Sequence, residues 1–491
     1  MENGLRIKSL LIKDQETIIC DYEFIDRIGK NENPFETIII GSNGTGKSTV
    51  LRYITEIFNR AISGKNCRNL KHSFYKLEYY IDSDFATIVI EKKKVLLLLN
   101  DIKIKSKEDF KFPKKLLALA FMVNDKYYFQ KNSEEEDCYK YLGIRGAANA
   151  SWTSTISDKV AENVIYLAEH KNIKRFVENM SDFLNVDSRF VLTCELYENK
   201  KLGIKKYDEI YDYVEKKIEK IKEKESYRTD FANKLTTEDI SKYTRFLDYY
   251  LKKKQEIKTK HDSIQLEFSL TTYFEDTFNL IEAYKILKDL KLLNILGNLT
   301  LYLSKGNELY SFDDSSSGEK HIIYIITSIS RYIEDNSVIL IDEPEISLHP
   351  EWQMKYMGFM RRLFTDYNSC HFLVATHSPY MVSDLIPGES SLVVMKMKEN
   401  ERKAELIDFD TYAWSVENIL YDVFGTRTAR NYFFEKDLSD LLDGVEVLGK
   451  DNIDEKKRLL NKLESYVFSD NDPLKEILLE VKRRIENVES K

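Results

Sequence analysis

Nine consecutive residues, Gly41-Ser42-Asn43-Gly44-Thr45-Gly46-Lys47-Ser48-Thr49, contain the pattern G-x-x-x-x-G-K-[ST] without a mismatch. A loop of this kind binds polyphosphate. Glycines at 41, 44 and 46 permit a sharp turn that brings backbone N–H groups close to phosphate oxygens, with Asn43, Thr45 and Thr49 completing the cradle. Lys47 is expected to reach the β- and γ-phosphates of ATP, and Ser48 to place its hydroxyl on Mg2+. Such a loop needs a strand before it and a helix after it. The β-branched run Thr37-Ile38-Ile39-Ile40 reads as a central strand of a parallel sheet. A helix from Lys47 to about Asn59 would point the positive end of its dipole at the same oxygens.

A second apolar run, Val338-Ile339-Leu340-Ile341, ends in two adjacent carboxylates and Pro344. This is the pattern of a buried strand delivering acids to a metal–phosphate site. Asp342 is read as a member of the Mg2+ shell, and Glu343 as the general base that orients and deprotonates the attacking water. Downstream, His371-Phe372-Leu373-Val374-Ala375 reads as another core strand, ending in Thr376-His377-Ser378-Pro379. A histidine past a core strand is by default a structural residue, but His377 falls at the strand edge where open α/β sheets present catalytic groups, as a γ-phosphate sensor would.

Between loop and acids lies Ser316-Ser317-Gly318-Glu319-Lys320, and with it the chain resembles an ABC-type ATPase of the branch that includes the SMC-like repair ATPases and the OLD-family ATPases. By that resemblance this is the signature element, with Ser317 and Gly318 at the matching positions. It implies contact with a γ-phosphate held by the opposite subunit, so that two chains sandwich two ATP molecules. Ser347-Leu348-His349-Pro350 matches the segment that crosses such an interface, and His377 matches the switch histidine. Glu319 and Lys320 stand where transporters have Gly-Gln, as is normal in the SMC-like branch. No glutamine is clearly placed to contact the metal; Asp125 and Gln130, near the strand Leu117–Phe121, are the candidates. The resemblance covers residues 1–60 and 310–385 well.

The elements that position these residues follow in outline. Arg6–Ile12 and Thr17–Tyr22 precede the loop strand, and Leu77–Ile81, Ala86–Glu91 and Val95–Leu99 read as an antiparallel sheet beside the nucleotide. The long stretch between loop and signature is mostly helical in pattern, notably Tyr207–Lys224 and Thr237–Ile257, without the sustained heptads of a long coiled-coil arm. Acids interleaved among Lys200–Lys224 favour a solvated helix face over a DNA-binding one. Tyr139–Gly146, with Gly143 and Arg145, reads as a packing loop. Ile322, Ile325, Ile326, Ile329 and Ile333 form one apolar stripe after the signature, and Pro350 fits the first turn of a helix to about Phe364. The expected fold is an α/β ABC-type ATPase head with a mixed central sheet, a large, mostly helical insertion and a helical C-terminal region. It divides into 1–130 (first half of the head), 131–300 (insertion), 301–400 (second half) and 401–491 (assembly or partner binding).

Composition narrows the setting. The 491 residues carry a net charge of -8, which gives no global drive toward nucleic acid, so DNA contact would come from local basic patches. Five cysteines, at 20, 67, 138, 194 and 370, form no C-x-x-C pair, and no apolar run is long enough to span a membrane. Met1-Glu2-Asn3-Gly4 lacks signal-peptide character, and a cytoplasmic location is expected. The one late D-x-D, Asp470-Asn471-Asp472, is explained by Asp472 capping a helix that starts at Pro473, so no nuclease site is read there. An ATPase without its own effector calls for a partner. The layout, including Val416–Arg427, is similar to stand-alone ABC-like ATPases of bacterial anti-phage systems such as the Septu and PARIS ATPase subunits. That similarity implies a sensor subunit controlling a separate effector such as a nuclease. The alternative is an SMC-like DNA-repair or chromosome-maintenance ATPase stimulated by DNA.

Overall fold

The computed structural model describes residues 4–25, 32–64, 70–122, 125–129, 136–144, 152–169, 174–196, 207–223, 228–252, 263–270, 278–398, 401–407, 411, 414–424, 431–443, 453–466 and 474–489. Runs of continuous apolar residues set its central feature. β3 (Phe35–Gly41), β8 (Leu116–Ala120), β14 (Val338–Asp342) and β15 (His371–Thr376) are buried at every position, as strands covered on both faces must be. With β9 (Tyr139–Tyr141), β16 (Ser390–Lys398) and β17 (Glu401–Ile407) they form a seven-stranded sheet in the order β17-β16-β3-β15-β14-β8-β9. All its pairings are parallel except β16 with β17.

A second, antiparallel sheet of order β2-β1-β4-β5-β6-β7 is built from β1 (Leu5–Asp14), β2 (Thr17–Glu23), β4 (Phe74–Ile81), β5 (Asp84–Glu91), β6 (Lys94–Leu99) and β7 (Ile102–Ile104). One face alternates into the core, as in β4, where every second residue is buried. Helix α1 (Lys47–Ser63) packs its buried face, including Val50, Leu51, Ile54 and Phe58, in the core shared with Leu10, Leu77 and Ile88. It outruns the expected end at Asn59 by one turn and stops where Gly64 takes a left-handed conformation (φ 69°), returning its N–H to the Arg60 carbonyl.

The insertion holds α2 (Trp152–Ala168), α3 (Lys174–Leu184), α4 (Tyr207–Lys222), α5 (Thr229–Asn233), α6 (Thr237–Lys252) and α7 (Leu280–Leu292), and also a sheet that its helical pattern did not announce. β10 (Arg189–Leu196), β11 (Ser263–Ser269), β12 (Leu296–Lys305) and β13 (Glu308–Ser311) pair antiparallel in the order β11-β10-β12-β13. In α4, Ile210, Val214 and Ile218 are buried while Lys216, Lys220 and Lys222 are exposed. Those lysines line a solvated face; residues 200–206 and Lys224 lie outside the described residues.

After the insertion come α8 (Ser317–Tyr332) and α9 (Pro350–Leu363). α8 is buried beyond its isoleucine stripe, taking in Ile323, Tyr324 and Thr327, because α2 covers its other side. Asn163 donates to the Ser328 hydroxyl (3.0 Å), Arg331 to Glu162 (3.1 Å), and the Tyr324 hydroxyl to the Leu142 carbonyl (2.6 Å). Past β16 the chain was expected to turn helical; instead β17 returns as a hairpin strand. The charged segment Glu401–Ile407 hides it, since only Ala404, Leu406 and Ile407 are apolar.

Residues Met1–Ala413 form one compact unit and Trp414–Lys491 another. The latter contains α10 (Val416–Asp422), α11 (Tyr432–Leu442), α12 (Ile453–Glu464) and α13 (Leu474–Glu489), with a core of residues such as Leu441, Leu463, Leu478, Val481 and Ile485. Asp470–Asp472, read above as a helix cap, lies outside the described residues. Among the described residues no helix is long and apolar enough to cross a membrane.

Candidate active site

Register brings the chemistry to one edge. Ile40 lies opposite Thr376, and Asp342 lies opposite both Ala375 and Ala120. The residues just beyond these strands, namely the loop after Gly41, Glu343, His377 and the segment after β8, therefore share the carboxyl edge of the sheet, where open α/β folds bind ligands.

The loop is shaped by its glycines. A side chain at Gly41 would collide with the Met395 carbonyl, and Gly46, which caps α1, has φ 103°. The Thr45 hydroxyl donates to the Ser42 carbonyl (2.9 Å), bracing the turn, while Asn43 and Gly44 are exposed. Lys47 is buried, donating to the carbonyls of Gly41 (2.8 Å) and Ser42 (3.3 Å). Burial pushes its ammonium down to about 8, against the pull of Glu343, Glu345 and Asp342.

The two adjacent acids differ in environment. Burial pushes the Asp342 carboxyl up to about 7, against a hydrogen bond from Ser48, and its Oδ1 is buried with no hydrogen-bond partner. Glu343, with φ 52°, leaves the strand in a left-handed turn while its N–H still donates to the Ala375 carbonyl (2.9 Å). Its carboxylate stays below its ordinary value because His377 bonds to it, aided by Lys47 and Lys126. His377 joins the groups: its Nε2 lies 2.8 Å from Lys47 Nζ and 3.4 Å from Glu343 Oε1. Lys47, Ser48, Asp342, Glu343 and His377 are thus gathered within one chain.

Two residues that the motifs did not single out belong to the same cluster. Glu345, raised by burial, accepts the His377 backbone N–H (2.6 Å), and so anchors the main chain that carries the ring. Lys126, exposed in the loop after β8, donates to the Thr49 hydroxyl (3.3 Å) at the first turn of α1. Nothing in the pattern around Lys126 could have found it; only the strand order brings that loop beside Asp342. Of the two candidates named for a metal contact, Asp125 accepts from the Tyr127 N–H (2.9 Å) and the Tyr141 hydroxyl (2.5 Å). Gln130 lies outside the described residues, as does Arg145.

The Ser316–Lys320 element stands apart from this cluster. Ser316 caps α8 and exchanges hydrogen bonds with Glu319, a capping box that gives Glu319 a structural task. Ser317 is exposed at the first helical position. Gly318 is packed against the turn after the acids, where a side chain would meet the Ser347 carbonyl at 2.8 Å. Ser347 has φ 66°, and His349 caps α9 with Pro350 at its start.

A buried lysine on a glycine-rich loop, a strand-end acid pair and a histidine thus share one parallel sheet edge, as in a P-loop head. The chain belongs to the AAA ATPase domain family, whose model matches residues 23–382. It is similar to the Septu protein PtuA of Bacillus thuringiensis, with 27% identity over 195 residues, covering 36% of this chain and 47% of that protein. It is also similar to the Retron Vc95 probable ATPase of Vibrio cholerae serotype O1 biovar El Tor, with 22% identity over 381 residues, 73% of this chain and 68% of that protein. The match thus spans about half the length of the first relative. The SMC head domain from Thermotoga maritima superposes with a TM-score of 0.33 at 12% identity, covering 82% of this chain and 100% of that one, too loosely to bear on function.

Proposed function

We propose that the chain binds Mg2+ and ATP on the loop Gly41–Thr49 and hydrolyses the γ-phosphate, with two copies closing around two nucleotides. The observation that carries this reading is the convergence of Lys47, Asp342, Glu343 and His377 at one sheet edge. Lys47 leaves the loop carbonyls for the β- and γ-phosphates. Glu343 orients the water and accepts its proton, and His377 senses the γ-phosphate from between them. The Ser48 hydroxyl and the orphaned Oδ1 of Asp342 suit Mg2+, which binds through few protein oxygens plus phosphates. The ion would neutralise charge on the phosphates. Ser317 and Gly318 would come from the second copy, consistent with the exposure of Ser317.

At the level of the cell, the reading is a cytoplasmic ATPase of a bacterial anti-phage complex, controlling a separate effector such as a nuclease. Its support is the resemblance of the C-terminal part and the similarity to a Septu protein and a retron ATPase. The test uses purified protein. Glu343→Gln should lower turnover by about a hundredfold or more while retaining ATP, and should dimerise with it. A monomer by light scattering at saturating ATP would sink the sandwich, and a wild-type protein that neither binds nor hydrolyses ATP would sink the ATPase reading. Strong stimulation by double-stranded DNA would move the protein to the repair alternative.

A further inference from the structure

We propose that Arg402, on edge strand β17, is a nucleotide-binding residue whose guanidinium, lying over Gly46 of the phosphate loop, takes a phosphate oxygen of the bound nucleotide. This rests on the ATP-binding reading above and adds a residue that no motif contains.

Topology puts Arg402 there. β16 runs parallel to β3 with Met395 opposite Gly41, so the start of the loop abuts the hairpin. β17 then returns antiparallel, pairing Met397 with Arg402 and Met395 with Ala404. Residues two apart on a strand share a face. Ala404 and Leu406 pack on the core that holds Met395 and, from α1, Val50, Leu51 and Ile54. Arg402 therefore projects on the α1 side, one step beyond that core, where α1 begins.

The contact is close. A side chain added at Gly46 would meet Arg402 Cδ at 3.2 Å, Nε at 3.3 Å and Cζ at 3.5 Å, so the arginine side chain lies directly over the loop backbone at this glycine. Arg402 is exposed, and its neighbours Glu401 and Lys403 face each other at 4.0 Å. Among the described residues no carboxylate forms an ion pair with Arg402. Its charge is felt by Cys20 and Tyr22 of β2, which passes alongside. Lys47, by contrast, is buried and bonded to loop carbonyls. A planar, charged fork beside such a loop, with no ion-paired carboxylate among the described residues, is matched to a phosphate oxygen.

The experiment is calorimetric titration of the full chain with ATP and with ADP, comparing wild type with Arg402→Ala, Arg402→Met and Arg402→Lys, alongside the melting temperature of each without nucleotide. Loss of a charge-assisted hydrogen bond should weaken binding about tenfold or more in the Ala and Met variants. Arg402→Lys should recover part of the affinity, and all four proteins should melt alike. Wild-type affinity in Arg402→Ala would overturn the proposal. So would full affinity in Arg402→Met with loss only in Arg402→Ala, because the stem would then serve as packing. A wild-type protein that binds no nucleotide would instead bring down the ATP reading itself, and this proposal with it.

Discussion

Lys126 is a surface lysine by sequence and a member of the site by geometry. Its ammonium bonds the Thr49 hydroxyl at 3.3 Å, and its charge lowers both Asp342 and Glu343. Removing that charge weakens the field on a bound polyphosphate and lets both acids climb. Lys126→Ala is therefore expected to lower kcat/KM about tenfold, or about 1.4 kcal/mol, with Lys126→Arg losing less. The sign of the pH effect follows: a base that must be ionised, once its carboxyl rises, works only at higher pH. The acid limb of the pH–rate profile should shift upward in Lys126→Ala. Steady-state kinetics across pH checks both effects, and a profile unchanged in height and position would remove Lys126 from the site.

Helix α8 couples the elements around the acids through His321. The ring stacks on Phe121, just past β8, with centroids 3.9 Å apart and an interplanar angle of 3°, and its Nδ1 bonds the Ile346 carbonyl (2.7 Å) in the turn after Glu343. Burial pushes His321 down to about 4, and it pushes His371, wedged between Ile7 N–H and the Thr37 hydroxyl, well below its ordinary value. Both imidazoles fold neutral. Protonation thus favours the unfolded chain, and the stability they contribute is complete above about pH 6.5 and drains away as pH falls toward 4. Each should steepen the loss by about 1.4 kcal/mol per pH unit in that window. His321→Phe keeps a ring on Phe121 but removes one titration, so urea unfolding from pH 7 to 4.5 should show a shallower decline than wild type; equal slopes would refute the assignment. At this scale the sequence was legible where strands are continuously apolar, as in β3, β14 and β15, and where a helix start is explicit, as at Pro350. It was illegible where pairing is long-range: β10 and β11 meet only after two long helices intervene. It was illegible again at β17, whose charged face masks a strand, and Arg402 was hidden with it.

For the whole molecule, one copy gathers the loop, both acids and His377, yet leaves Ser317 exposed at the start of α8 with its neighbours committed to a capping box. The first N–H groups of any α-helix have no partner within the helix, and an exposed helix start suits an anion supplied from outside the copy. If that anion is the γ-phosphate on a second copy, Lys47 and Ser317 of one working site come from different chains. Lys47→Ala and Ser317→Arg homodimers should each be inactive, the first for want of bound ATP and the second because the arginine crowds the facing phosphate. Mixed dimers would contain one site with both residues intact and one with neither. At equal mixing, half the dimers are mixed and half their sites work, so about a quarter of wild-type turnover should return. The measurement is ATPase rate against mixing ratio, with light scattering to show that subunits exchange. Activity that peaks at equal proportions supports a shared site, whereas exchange without any recovery would place Ser317 outside the chemistry.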